Sequence, residues 1–309
     1  MSGLRGRDFL TVTDFTQEEL QEILDFAQEL KADRKRGKHA PLLQGKTLGM
    51  IFHKASTRTR VSFEVGMVQL GGYALFLNGA DLQSGRGEPI KDTARVLSRY
   101  VDGIMIRTFD HADVEELAAY ADVPIINGLT DFLHPCQAMT DLMTILEHKG
   151  TLAGLKLTYV GDGNNMAHSL LLACSKLGMN VTIASPQGYQ PLPDIVQAAT
   201  MDAGKHGTTI EVTTDPVHAV KGADVLYTDV WASMGQEAEH QQRLQVFQPY
   251  QLNAALLAQA AKDAIVLHCL PAHRGEEITE DVLEGTQSVV FAQAENRLHV
   301  QKAIMALLL

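Results

Sequence analysis

The sequence predicts an α/β protein of two domains, each a parallel sheet flanked by helices. Three observations lead there. Short apolar, β-branched segments alternate with longer amphipathic ones, the pattern of βαβ units. The alternation runs through two cycles, separated near Gly150 to Gly154. The chain has 309 residues, enough for two compact domains.

In the first cycle, residues 46–52 (KTLGMIF) read as a strand and 57–70 as a helix. Residues 73–77 are strand-like and 90–101 helical; 103–107 (GIMIR) form a strand, 112–121 a helix and 124–127 a strand. A helix over about 135–149 follows, with Pro135 suited to its first turn. In the second cycle 155–160 (LKLTYV) is a strand, 165–177 a helix, 180–184 a strand, 192–203 a helix and 209–213 a strand. Residues 223–228 and 264–270 complete the strands, and 296–309 read as a last helix. The two cycles divide the chain near residue 150.

Composition narrows the function classes. The formal net charge is −11, which argues against wholesale binding to nucleic acid or an anionic membrane. A local cluster of arginines still suffices for an anionic small molecule. The cysteines are three, Cys136, Cys174 and Cys269, too few and too widely spaced for a disulfide framework. The N-terminus lacks the apolar stretch of a signal peptide, and no apolar run approaches transmembrane length, so a cytoplasmic protein is expected.

In parallel sheets ligands bind beyond the carboxyl ends of the strands, so the residues there decide the chemistry. Ser56-Thr57-Arg58-Thr59-Arg60 follows a strand and opens a helix. Unpaired helix N–H groups, hydroxyls and guanidinium forks together make a phosphate cradle, although a capped helix with two solvated arginines has the same pattern. At helical spacing Arg58 and Arg60 point in different directions, so one is free for a ligand while the other pairs internally. Arg107 ends a very apolar strand and calls for an anionic or carbonyl partner. His134 and Gln137 flank a helix start and could polarise a carbonyl oxygen, with Cys136 buried between them.

In the second cycle Asp229 could pair with a cationic amine or cap a helix, and Ser233 could add a hydrogen bond. Gly161-Asp162-Gly163-Asn164-Asn165 fails as a dinucleotide fingerprint, because Met166 holds the third glycine position, but it can present Asn165 to a small ligand. His268-Cys269-Leu270-Pro271 leaves several readings of Cys269 open: a nucleophile, a polar neighbour of the reacting groups, or a buried thiol. A metal site is disfavoured by the ligand spacing, and no cofactor is indicated. The glycine-rich loop from Gln83 to Glu88 reads as a lid, an intersubunit contact or an exposed turn.

Taken as an ordered set, Ser56 to Arg60, His134 to Gln137 and His268 to Pro271 resemble the carbamoyltransferase family. The first motif is shared with the aspartate branch; Asp229 to Gly235 and His268 to Pro271 look like the ornithine branch. The similarity runs from about Phe9 to the final helix, and it implies an active site in the interdomain cleft and a last helix that returns to the first domain, so that the expected domains are 1–149 with about 296–309, and 150–295. It implies transfer of a carbamoyl group from carbamoyl phosphate to the side-chain amine of ornithine, giving citrulline and phosphate. By the same resemblance Ser56, Thr57, Arg58, Thr59 and Gln83 would hold the phosphate, and Gln83 would come from a neighbouring subunit or its own. Arg107, His134, Pro135, Cys136, Gln137 and Arg297 would surround the carbamoyl end. Asn165, Asp229, Ser233 and Met234 would hold ornithine, with Cys269 and Leu270 at the reacting centre. Arg107, His134, Asp229 and Cys269 are the expected catalytic set, in a homotrimer or a multiple of trimers.

Overall fold

The computed structural model of the chain describes residues 3–82, 87–232 and 239–309. The chain separates into two compact units, 1–143 with 295–309, and 144–294.

The first unit opens with α1 (Gln17–Lys35), an element whose periodicity escaped the sequence reading. Its start was legible: Thr16 accepts from the Glu19 amide while the Glu19 side chain accepts from the Thr16 amide, a complete capping box. Then come β1 (Thr47–Phe52), α2 (Thr57–Gln69), β2 (Tyr73–Asn78), α3 (Ile90–Leu97), β3 (Gly103–Arg107), α4 (His111–Tyr120), β4 (Ile125–Leu129) and α5 (Pro135–Lys149), which carries the chain into the second unit. Helix α3 stops at Leu97, short of the expected 101, because the Leu97 carbonyl accepts from both Tyr100 and Val101 in a closing turn.

The sheet is parallel throughout, in the order β2-β1-β3-β4. Strand β3 is buried at every position, as expected where both faces are covered. Ile104 and Ile106 join Ile51, Val114, Leu117 and Ile125 in one apolar cluster. The register between β3 and β4 slips so that Ile106 faces Asn127 and Arg107 faces Leu129. Gly128 sits in the slip, where a Cβ would lie 2.6 Å from the Met105 sulfur.

The second unit holds β5 (Lys156–Val160), α6 (Asn165–Lys176), β6 (Asn180–Ala184), α7 (Pro193–His206), β7 (Ile210–Thr213), α8 (Pro216–Val220), β8 (Val225–Thr228), α9 (His240–Phe247), α10 (Ala254–Leu257), β9 (Ile265–His268) and α11 (Glu280–Leu283), and α12 (Val290–Leu308) leads from it back into the first unit. Its strands are also parallel, in the order β7-β6-β5-β8-β9. Val160, Ala184, Leu226, Val266, Ile278 and Val282 belong to its main core cluster. Helix α12 starts at Val290, earlier than the expected 296, and its 295–309 portion packs in the first unit. Among the described residues no helix is long and apolar enough to cross a membrane.

Each sheet has one point where the strand order reverses. In the first unit it lies between β1 and β3, in the second between β5 and β8. Chains leaving adjacent strands there diverge and open a crevice at their carboxyl ends.

Candidate active site

At the first reversal point β1 leads into the Ser56 motif and β3 ends at Arg107. Ser56 is the N-cap of α2, and its hydroxyl accepts from the Thr59 amide at 3.2 Å. The cap fixes the first turn and leaves the earlier amides pointing out of the helix, at the positive end of its dipole. The two arginines diverge as their spacing implies. Arg60 pairs with Glu64 at 3.0 Å and lies over the Phe76 ring, whereas the buried Nε of Arg58 makes no hydrogen bond.

Arg297 comes from the far end of the chain. Its Nη2 donates to the Thr59 hydroxyl at 2.7 Å, within the buried interior. Helix α12 reaches this position by close approach to α2: a Cβ on Gly66 would lie 2.8 Å from the Met305 methyl and 3.3 Å from Lys302. Thr59 keeps its own proton to donate, since a hydroxyl can accept and donate together.

His134 stands at the end of the loop after β4, 4 % exposed, and its carbonyl accepts from the Gln137 and Ala138 amides at the start of α5. Burial, reinforced by the charges of Arg297 and Arg107, holds its imidazole well below the usual histidine range. The ring is therefore neutral and offers a single N–H. Gln137 is buried as well; its Nε2 donates to Asp141 at 2.8 Å, and its Oε1 has no hydrogen-bond partner. One N–H of the amide is thereby committed and the second remains to donate, so the side chain can offer a donor as well as the buried Oε1 acceptor. Cys136 points inward, donates to the Asn127 carbonyl, and is pushed up to about 12 by burial, so it is a protonated packing thiol. Pro135 occupies the first position of α5.

At the second reversal point Asn164 follows β5 and Asp229 follows β8. Asn164 caps α6 with its oxygen and donates its amide to Asp229 at 3.1 Å, a link the sequence reading missed by choosing only its neighbour. Asn165 begins α6, half-buried. Asp229 is 5 % exposed, and its other oxygen accepts from the Val230 amide at 2.8 Å and from the Cys269 thiol at 3.0 Å. A carboxylate has about four acceptor sites, so these contacts leave room for one more donor. Nearby, Asp162 pairs with Arg243 at 2.9 Å, yet burial outweighs the pairing and pushes its carboxyl up to about 6. Trp231 stacks on Phe247 and is a packing residue.

His268 is fully buried behind Cys269. Its Nδ1 accepts from the Leu270 amide at 2.9 Å, so the proton sits on Nε2, which meets Glu277 at 3.1 Å. Ligand atoms of Asp229, His268 and Cys269 gather within 4.8 Å, closer than alternating strand directions suggested. Both ring nitrogens of His268 are nonetheless engaged in hydrogen bonds, which removes a ligand from that group. Leu270 adopts φ 57°, the left-handed conformation that a branched side chain rarely takes. Gln83, Ser233 and Met234 lie outside the described residues.

Two parallel α/β units, each with polar residues gathered at its strand-order reversal, define a class of two-domain enzymes acting on small charged substrates. Residues 7–147 match the family description "Aspartate/ornithine carbamoyltransferase, carbamoyl-P binding domain", and residues 153–308 match its "Asp/Orn binding domain". An ornithine carbamoyltransferase of Carboxydothermus hydrogenoformans is 62 % identical over 309 residues, covering 100 % of this chain and 99 % of that protein. One from Thermococcus kodakarensis is 61 % identical over 99 % of this chain and 97 % of its own. The solved ornithine carbamoyltransferase of Pyrococcus furiosus superposes with a TM-score of 0.97 at 58 % identity, covering 100 % of this chain and 98 % of that one. The chain belongs to the aspartate/ornithine carbamoyltransferase family and is a carbamoyl-transferring enzyme.

Proposed function

We propose that this enzyme moves the carbamoyl group of carbamoyl phosphate onto the side-chain amine of L-ornithine, giving L-citrulline and phosphate. The observation that carries the reading is the buried His134, held neutral by burial and by the charges of Arg297 and Arg107, with the open Gln137 acceptor at the start of the helix that follows. A carbamoyl group has a carbonyl oxygen that takes donors and an NH2 that needs an acceptor, and this set supplies both. The ornithine acceptor is supported by relatives of that name at 58–62 % identity.

In this reading Ser56, Thr57, Arg58 and Thr59 bind the phosphate at the amino end of α2, with Gln83 joining them. Arg107 and His134 donate to the carbamoyl oxygen, Gln137 accepts from its NH2, and Arg297 adds charge while steadying Thr59. Pro135 and Cys136 set the helix start that carries Gln137. Asn165, Asp229, Ser233 and Met234 hold the α-amino and α-carboxylate groups of ornithine, and Cys269 with the Leu270 carbonyl lies against the reacting amine. The domains are 1–149 with 296–309 for carbamoyl phosphate, and 150–295 for ornithine.

Carbamoyl phosphate is a mixed anhydride with a good leaving group, so the enzyme's task is placement and charge stabilisation. The nucleophile is the neutral amine, which at pH 7 is about one molecule in a thousand for a free alkylammonium. Its lone pair forms the C–N bond, the carbonyl becomes an oxyanion stabilised by Arg107 and His134, and the C–O bond to phosphate then breaks. The departing phosphate accepts the amine proton. A thiol that donates to Asp229 is a poor nucleophile, because ionising it would set two anions 3.0 Å apart; no covalent enzyme intermediate forms. Exposed apolar side chains on the edge strand and after α3, Tyr73, Leu75 and Tyr100, fit a subunit contact in a cytoplasmic homotrimer.

The test is citrulline formation with carbamoyl phosphate and, in parallel, ornithine, aspartate or putrescine as acceptor. Ornithine alone should support rapid turnover. Preference for another acceptor overturns the substrate, and no carbamoyl transfer at all overturns the reaction.

A further inference from the structure

Lys54 has no part in the roles above, yet it is 4 % exposed in a loop where lysine is ordinarily solvated. Its ammonium forms an ion pair with Asp131 and stands 4.3 Å from the centre of the Phe109 ring. These residues belong to three different loops. Lys54 follows β1, Phe109 follows β3 and Asp131 follows β4, the three adjacent strands whose carboxyl ends carry the candidate ligand groups. Each lies within three residues of one of those groups: Lys54 of Ser56, Phe109 of Arg107, Asp131 of His134. The Asp131 amide also donates to the Phe109 carbonyl at 2.8 Å, so the loops after β3 and β4 are already joined by backbone. Lys54 adds the third loop to that pair.

We infer that Lys54 is a positioning residue for the carbamoyl phosphate site: its ammonium, clamped between Asp131 and Phe109, locks the phosphate-binding turn in register with Arg107 and His134. This rests on the carbamoyl phosphate reading above. The physical need is specific. Like charges on Arg58, Arg107 and Arg297 repel one another before an anion arrives, and the loops adjoining Arg58 and Arg107 drift apart unless something ties them. A buried ammonium with one carboxylate and one ring face makes that tie without exposing a further cation to the ligand. The cost of ordering the loops is then met during folding and not at each binding event.

The alternative role for a lysine here is direct attraction of phosphate. The two roles give opposite results for Asp131→Asn, which keeps the Lys54 charge but breaks the clamp. Steady-state kinetics and calorimetry of carbamoyl phosphate binding would be measured on the wild type, Lys54→Met, Lys54→Arg, Asp131→Asn and the Lys54→Met/Asp131→Asn double variant. Positioning requires KM and Kd for carbamoyl phosphate to rise about tenfold or more in both Lys54→Met and Asp131→Asn, with kcat at saturation falling far less. The double variant should be no worse than the poorer single one, and Lys54→Arg should recover part of the loss. Asp131 has a 60 % exposed side chain, so Lys54→Met strands no buried charge and should leave the melting temperature within a few degrees. Unchanged or tighter binding in Asp131→Asn overturns the inference, as does unchanged binding in Lys54→Met. A wild type that fails to bind carbamoyl phosphate overturns the underlying reading instead.

Discussion

Gln137 shows how one side chain can be read down to its atoms. Asp141 holds the amide nitrogen, which fixes the flip and leaves Oε1 as a buried acceptor awaiting an N–H. An unmet buried acceptor costs about 1–3 kcal/mol, and a ligand that meets it regains that energy. Gln137→Leu should therefore weaken carbamoyl phosphate binding by roughly ten- to a hundredfold, and an unaltered Kd in calorimetry would remove the residue from the site. In the proposed mechanism Arg107 works on the other atom of the same group. Arg107→Ala removes a donor to the developing oxyanion, so kcat should fall by about 100- to 1000-fold while the circular dichroism spectrum persists. The proposed roles in the second unit separate by substrate: Asp229→Asn keeps the shape but gives up the charge proposed to meet the ornithine ammonium. It should raise the KM for ornithine much more than that for carbamoyl phosphate, and equal effects on both would reject the assignment.

At the scale of elements, the strands and most helices were legible because parallel sheets buried on both faces leave continuous apolar runs. The candidate residues at strand ends were legible for the same reason, since a strand's end tells where its loop begins. Helix α1 was not read, although Thr16 and Glu19 spelled its cap, because it precedes the first strand and so lies outside the strand–helix alternation that marks the later helices. Contacts between distant segments were beyond reach. The resemblance set Arg297 and Thr59 in one site, but nothing in the residues themselves joins the two across 238 residues, or shows that Asn164 reaches Asp229 while Asn165 begins the helix. The first of these depends on Gly66, which lets α12 lie against α2. An alanine there meets the ends of flexible side chains, Met305 at 2.8 Å and Lys302 at 3.3 Å, but a leucine has to push the helix aside. Gly66→Leu should lower the melting temperature and, by withdrawing Arg297, raise the KM for carbamoyl phosphate. A variant with native KM would show that α12 is not what sets the Arg297 position.

For the whole molecule, the buried histidines make stability depend on pH, and differently in the two units. In the first unit burial lowers His111 and His134, and burial together with Lys31 brings His299 down to about 4. Each group's folded value lies below its unfolded value near 6.5. Above pH 6.5 both states hold these rings neutral, and they contribute no pH dependence. Below it the unfolded chain gains protons that the folded chain refuses, so stability falls as the solution is acidified, by about 1.4 kcal/mol per pH unit for each proton. Asp162, in the second unit, acts in the opposite sense. Its folded value of about 6 exceeds the unfolded one, so its contribution is fully present below the unfolded value and is lost as pH rises through about 6. Between pH 6.5 and 5 the first unit is therefore weakened while Asp162 partly supports the second. Hydrogen exchange followed from pH 7 to pH 5, corrected for the intrinsic rate, should show amides of β3 and α12 losing protection ahead of those of β5 and β8. His299→Leu removes one of the protons refused by the first unit, at a ring that is 1 % exposed, and should flatten that loss by close to one proton's slope. Equal loss of protection in both units, or an unchanged slope in the variant, would place the acid sensitivity somewhere other than these rings.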